Sequence, residues 1–137
     1  MTRSDFQLLA LERLQDAEVL FANGRFGAAY YLAGYAIECA LKACIARKTR
    51  EFDFPDKLVA NQIHTHDLKR LVELSQLIDV FKAESGANSA FRENWETVSN
   101  WSENSRYQTS PQVEADDMLK AVGDPLIGVL QCIRKHW

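Results

Sequence analysis

The stretch that decides the fold is AAYYLAGYAIECALKACI, residues 28–45, uncharged except at Glu38 and Lys42. At about 3.6 residues per turn, Tyr31, Tyr35, Glu38 and Lys42 share one stripe. Leu32, Ala36, Cys39 and Ala43 form a small apolar stripe beside it, and Ala33, Ile37, Ala40 and Cys44 a third. A helix apolar around most of its circumference belongs inside a bundle, and its small residues let neighbouring helices come close. Charges in that setting need partners, because taking an unpaired charge out of water is costly. Glu38 must meet a cation, reach solvent or be protonated. Two arrangements stay open: an i,i+4 pair with Lys42, or a polar site shared with another helix.

Upstream, residues 4–22 read as an amphipathic helix with Ser4 as candidate N-cap. Phe6, Leu9, Arg13, Asp16 and Leu20 lie on one side, with Leu8, Leu11, Leu14 and Ala17 nearby. Asn23 and Gly24 stop it, since both tolerate the left-handed conformation that ends helices. The central helix then runs from about Phe26 to Lys48, and the short link makes the pair an antiparallel hairpin. Arg47, Lys48 and Arg50 gather at its C-terminal end, where positive charge complements the helix dipole.

Downstream, residues 49–66 (TREFDFPDKLVANQIHTH) lack helical periodicity and read as a long loop whose Phe52 and Phe54, next to Pro55, either serve function or lid the core. A third helix is expected over 67–84, capped by Thr65 or His66, burying Leu68, Leu71, Leu74, Ile78 and Phe81, and ending near Gly86. A fourth, about 87–105, carries Phe91, Trp95, Val98 and Ser102 at helical spacing, with Trp101 one step away and Arg106 and Tyr107 at its end. Ser110 and Pro111 then start a fifth. Its buried stripe is Ala115, Leu119, Val122, Leu126, Val129 and Ile133, interrupted near Asp124 by Gly123 and Pro125. No strand pattern or repeat is present. The expected architecture is all-α, an antiparallel up-and-down four-helix bundle with an additional shorter helix.

The chain has 137 residues and a net charge of −3. That length suits one domain with a real core. The charge argues against a protein that coats nucleic acid through a broad basic surface, although a local phosphate site is compatible with it. Cys39, Cys44 and Cys132 sit in apolar segments without CxxC spacing and read as core residues of a reducing compartment. The N-terminus is charged throughout, which excludes a secretory apolar region, and no uncharged run approaches the roughly 20 residues needed to span a bilayer. A soluble cytoplasmic protein is expected.

Familiar reaction motifs are missing. There is no phosphate-cradling glycine loop, no GxSxG elbow and no HExxH. His64, His66 and Asp67 have ligand chemistry, but no second His or Cys cluster completes a metal site, and Thr65, His66 or Asp67 has a ready alternative role as a helix cap. No catalytic residue, metal ligand or cofactor is assigned. Trp95, Trp101 and Tyr107 have ring faces suited to stacking on a base; Trp95 reads better as core, whereas Tyr107 follows its helix and adjoins Arg106.

The order of these parts resembles the HEPN domain, a nucleotide-binding helical domain. The matching pieces are Ala17 before a Gly/Arg/Phe turn, YYLAGYAIECALKA (Tyr30–Ala43), THDLKRLVEL (Thr65–Leu74), and NSRYQ (Asn104–Gln108) before a capped last helix. The resemblance implies a dimeric up-and-down bundle. Many members are metal-independent endoribonucleases, often toxins, in which an arginine followed after four to six residues by a histidine acts across the dimer. Here Pro111, Gln112 and Val113 occupy those positions after Arg106. The Ser-Arg-Tyr form instead looks like a branch found beside a nucleotidyltransferase, which implies a binding or partner role in a toxin–antitoxin-like setting.

The resulting expectation is a noncatalytic homodimer that binds a nucleotide or RNA end, or pairs with a nucleotidyltransferase. Its candidate ligand-binding residues are Tyr31, Tyr35, Glu38, Lys42, Arg106 and Tyr107. Two alternatives accompany it: a degenerate ribonuclease using Arg106 with His64 or His66, and a structural dimerisation module held by a Glu38–Arg106 ion pair.

Overall fold

Among the residues described by the computed structural model, 1–49 and 61–137, every regular element is a helix. In chain order they are α1 (Arg3–Ala22), α2 (Phe26–Lys48), α3 (Leu68–Leu74), α4 (Ile78–Ala87), α5 (Ser89–Ser99), a 3-10 helix (Glu103–Tyr107), α6 (Gln112–Gly123) and α7 (Val129–Arg134). Arg50, Phe52, Phe54 and Pro55, for which a dipole or loop role was expected, lie outside the described residues. The chain is an all-α bundle with α2 at its centre, in contact with α1, α3, the 3-10 helix, α6 and α7.

The apolar circumference of α2 explains that position. Ile37, Leu41, Ala33, Ala36, Ala40 and Cys44 are fully buried, and each large aliphatic side chain contributes about 1.5–3 kcal/mol by leaving water. Its small residues face small residues across the hairpin: α1 buries Ala10 and Ala17 completely. Leu8, expected near the packed side of α1, is instead 57% exposed, because the alanines bring the backbones together along a neighbouring stripe. The helix is capped two residues earlier than Ser4 suggested. Thr2 is the cap, its side chain accepting from Asp5 N while Asp5 receives the Thr2 N–H at 2.7 Å, a reciprocal capping box.

Gly24 ends α1 at φ 77°, with Arg25 N donating to Leu20 O and Gly24 N to Phe21 O. The same pair of hydrogen bonds recurs at Gln76, φ 61°, where Leu77 N donates to Val72 O and Gln76 N to Glu73 O. This Schellman turn divides the expected third helix into α3 and α4. Glutamine is an unusual occupant of left-handed space, but the turn seats Leu77, 3% exposed, among the core residues that include Val72. The new direction of α4 leaves Ile78 38% exposed, although the periodicity placed it inside.

The expected fourth helix stops at Ser99. Trp101 then turns into the core, 4% exposed, and the following residues form the 3-10 helix. Helix α6 starts at Gln112 with Pro111 in the cap position, one residue later than Ser110 and Pro111 implied. The predicted interruption near Asp124 is present. The Asp124 carboxylate accepts from Leu126 N and Ile127 N and closes the turn between α6 and α7. That turn carries Leu126 outward, 88% exposed, so it is not part of the buried stripe that Ala115, Val122, Val129 and Ile133 do form.

The three cysteines are buried and unpaired. Burial pushes each thiol up to about 11. At neutral pH they are therefore small apolar core residues, not nucleophiles. Among the described residues no helix is long and apolar enough to cross a membrane.

Candidate functional site

The site begins with a glycine. Gly34 lies in the middle of α2, and a Cβ there would overlap the Trp101 indole ring. The missing side chain lets Trp101 lie against the helix, where its Nε1 donates to Tyr31 O at 3.1 Å and its ring stacks on Tyr31 at 5.9 Å between centroids. Tyr35 continues the stack at 6.1 Å from Tyr31. Trp101 thereby ties the 3-10 helix to the polar stripe of α2, two residues before Glu103 and five before Arg106.

Glu38 is 2% exposed, and both of its oxygens are used. Oε2 accepts from Lys42 Nζ at 3.2 Å; Oε1 lies 2.9 Å from Nδ1 of His66. The His66 ring faces Glu103 on its other side, Nε2 to Oε2 at 3.5 Å. Glu103 Oε1 pairs with Arg106 Nη1 at 2.8 Å, and the Arg106 guanidinium lies over the Tyr107 ring at 4.7 Å from its centroid. Lys42, Glu38, His66, Glu103, Arg106 and Tyr107 thus form one continuous file from the core of the bundle to its surface.

Of the six candidate residues, Tyr31, Tyr35, Glu38 and Lys42 share one face of α2; Arg106 approaches that face at the Tyr31 side chain and is linked to Glu38 through Glu103 and His66, and Tyr107 lies against Arg106. Glu38 pairs with Lys42 and His66, whereas Arg106 pairs with Glu103. The i,i+4 pair and the shared polar site, alternatives on the sequence, therefore coexist. His66 enters the network through local geometry. Asp67 caps α3 by accepting from Lys69 N and Arg70 N, and Thr65 Oγ1 accepts from Asp67 N. Of the three capping candidates, Thr65, His66 and Asp67, it is Asp67 that caps the helix, and the preceding His66 is left to reach α2. Glu103 was missed altogether, although its i,i+3 spacing to Arg106 in a short helical turn was a usable signal.

The network runs from dry to wet. Glu38 and Lys42 are 2% and 14% exposed at their side chains; His66, Glu103 and Arg106 are 43%, 31% and 42% exposed. Tyr107 is 75% exposed. Burial, with Cys39 and Glu38 close by, pushes the Tyr35 phenol up to about 12, so it is a neutral hydrogen-bonding group at physiological pH. Among the described residues every buried side-chain nitrogen or oxygen has a partner. The inner end is internally satisfied. The outer end presents a guanidinium and a ring face to solvent, which suits an anion attached to a planar group.

Metal chemistry finds no comparable constellation: no group of three or more His, Cys, Asp or Glu side chains among the described residues is placed to hold an ion. His66 and Asp67 point to different partners, Glu38 and the α3 backbone. A groove of about 370 Å³ between α3 and α4, floored by Phe81 and Trp95, lies apart from the network and holds none of its residues.

Comparison with known families adds one finding. A family model described as HEPN domain matches residues 7–124, a span that includes every residue of this network. No curated protein and no solved structure matches the chain.

Proposed function

The chain belongs to the HEPN domain family, and from that premise we propose that it is a noncatalytic member, a homodimer that binds the terminal phosphate of a nucleotide or RNA end at Arg106 and Tyr107. A nucleotidyltransferase is the partner that best suits such a module, because its substrates and products carry the same groups. The observation that carries the reading is the Arg106–Tyr107 pair: a half-exposed guanidinium and a largely exposed ring are held together on a short helix that Trp101 anchors. A guanidinium grips phosphate oxygens through a rigid fork of donors, and the ring offers a face to a base.

Calorimetric titration of the protein with adenosine mono- and diphosphates should show binding. Arg106→Ala should weaken it about ten- to hundredfold, the range for losing charge-assisted hydrogen bonds. Absence of heat with any nucleotide would remove this reading.

One observation favours a second reading, that of a degenerate ribonuclease: His66 and Arg106 approach opposite oxygens of the same carboxylate. Such a pair combines a phosphate-binding cation with a group that moves protons near neutral pH. Against it, both ring nitrogens of His66 face carboxylates, which leaves neither open to a substrate. Cleavage of structured RNA that is abolished by His66→Ala and by Arg106→Ala would overturn the noncatalytic assignment.

A further inference from the structure

Glu103 occupies the place an anionic ligand would take. Its two carboxylate oxygens lie on two different partners, Arg106 Nη1 at 2.8 Å and His66 Nε2 at 3.5 Å, each on the solvent side of the network. Glu38 holds the far side of the imidazole at 2.9 Å, so His66 keeps its position without Glu103. The Glu103 side chain is 31% exposed and belongs to a five-residue 3-10 helix. Among the described residues its carboxylate pairs with His66 and Arg106, both about half-exposed.

We infer that Glu103 is an internal competitor for the Arg106 site, displaced by ligands carrying a phosphate monoester and not by those carrying only phosphodiesters. The inference rests on the proposal that Arg106 binds phosphate. A half-exposed ion pair between neighbours on one helical turn is weak, so an incoming anion can break it. The competitor is nevertheless tethered, and its effective concentration at Arg106 is high. A phosphodiester brings one negative charge, no more than the carboxylate it must replace. A monoester brings between about 1.5 and 2 near neutral pH, together with three acceptor oxygens. Charge alone therefore favours chain ends over internal linkages. Glu103 sets a threshold common to both kinds of ligand, since each must replace the same tethered carboxylate, and the more highly charged monoester is the one that passes it.

Glu103→Gln keeps the size of the side chain and removes its charge. Binding of adenosine 5′-monophosphate and of the dinucleoside monophosphate ApA, which has no terminal phosphate, should be measured on wild type, Glu103→Gln and Glu103→Gln/Arg106→Ala. The expected result is adenosine monophosphate binding about fivefold tighter in Glu103→Gln, ApA binding that becomes detectable because it gains by a similar factor, and loss of both gains when Arg106 is also replaced. Unchanged or weaker monophosphate binding in Glu103→Gln, or gains that persist when Arg106 is also replaced, overturns the competitor while leaving the Arg106 site intact. Binding of neither ligand to wild type or Glu103→Gln overturns the phosphate site itself, and the competitor with it.

Discussion

Gly34→Ala is expected to lower stability by about 2–4 kcal/mol, an inversion of the usual effect of that substitution in a helix. Alanine is favoured over glycine within helices by up to about 1 kcal/mol. At Gly34, however, the added methyl would occupy the space of Trp101 Cγ, Cδ1 and Nε1. The indole cannot slide aside cheaply: it is 4% exposed, hydrogen bonded to Tyr31 O and stacked on the Tyr31 ring. Expelling it forfeits an interaction of the size lost when a buried aromatic is truncated, about 3–5 kcal/mol, which outweighs the propensity gain. Urea unfolding of Gly34→Ala, Trp101→Ala and the double variant provides the test. The two single changes should be strongly non-additive, because once the indole is gone the methyl has room. A Gly34→Ala protein as stable as wild type would mean that Trp101 is not seated against α2.

The central helix was legible in the sequence because its determinants are local. The apolar run from residue 28 to 45 and the Asn23–Gly24 stop are enough to bound it, and the expected span of about Phe26 to Lys48 is the one observed. Gln76 shows where such reading ends. Nothing in a glutamine announces left-handed backbone, and the turn exists because Leu77 packs into a core that other helices build. Leu126 fails for a related reason: it has the right spacing, but Asp124 closes a turn that carries it out to solvent. Periodicity places a residue on a face only while the helix continues.

For the site, the stripe of Tyr31, Tyr35, Glu38 and Lys42 follows from helical geometry alone. The partners do not. Whether Glu38 meets Arg106 or His66 depends on how α2, α3 and the 3-10 helix are aligned with one another, and alignment between helices leaves no mark on the spacing within any one of them. Gly34 and Trp101 lie 67 positions apart in sequence, yet the indole fills the space a Cβ at Gly34 would take. An interior glycine in a long apolar helix was the one local hint that something large packs there.

Glu38→Ala should destabilise the bundle by about 3 kcal/mol, and the pattern of companion variants separates a structural role from a binding one. Removing one member of a buried ion pair costs about 3–5 kcal/mol, since the other is left charged and dry. The lower end applies because His66 is 43% exposed and can turn to water, whereas Lys42 at 14% cannot do so as freely. Glu38→Gln retains the shape and one acceptor and should cost about half as much. Glu38→Leu/Lys42→Met removes both charges and fills the space, which should recover most of the loss, as apolar replacements of buried pairs often do. Denaturant unfolding would measure all three; Glu38→Ala with unchanged stability would show that the carboxylate is not buried against these partners. The decisive comparison is the binding of adenosine monophosphate by the double variant. If Glu38 serves only to hold the bundle, a protein with restored stability binds as wild type does. If it also positions His66, and through His66 the Glu103–Arg106 pair, the restored bundle remains altered in nucleotide affinity. The second outcome is expected, because Glu38 supplies the hydrogen bond on the inner face of the imidazole that aims its outer nitrogen at Glu103.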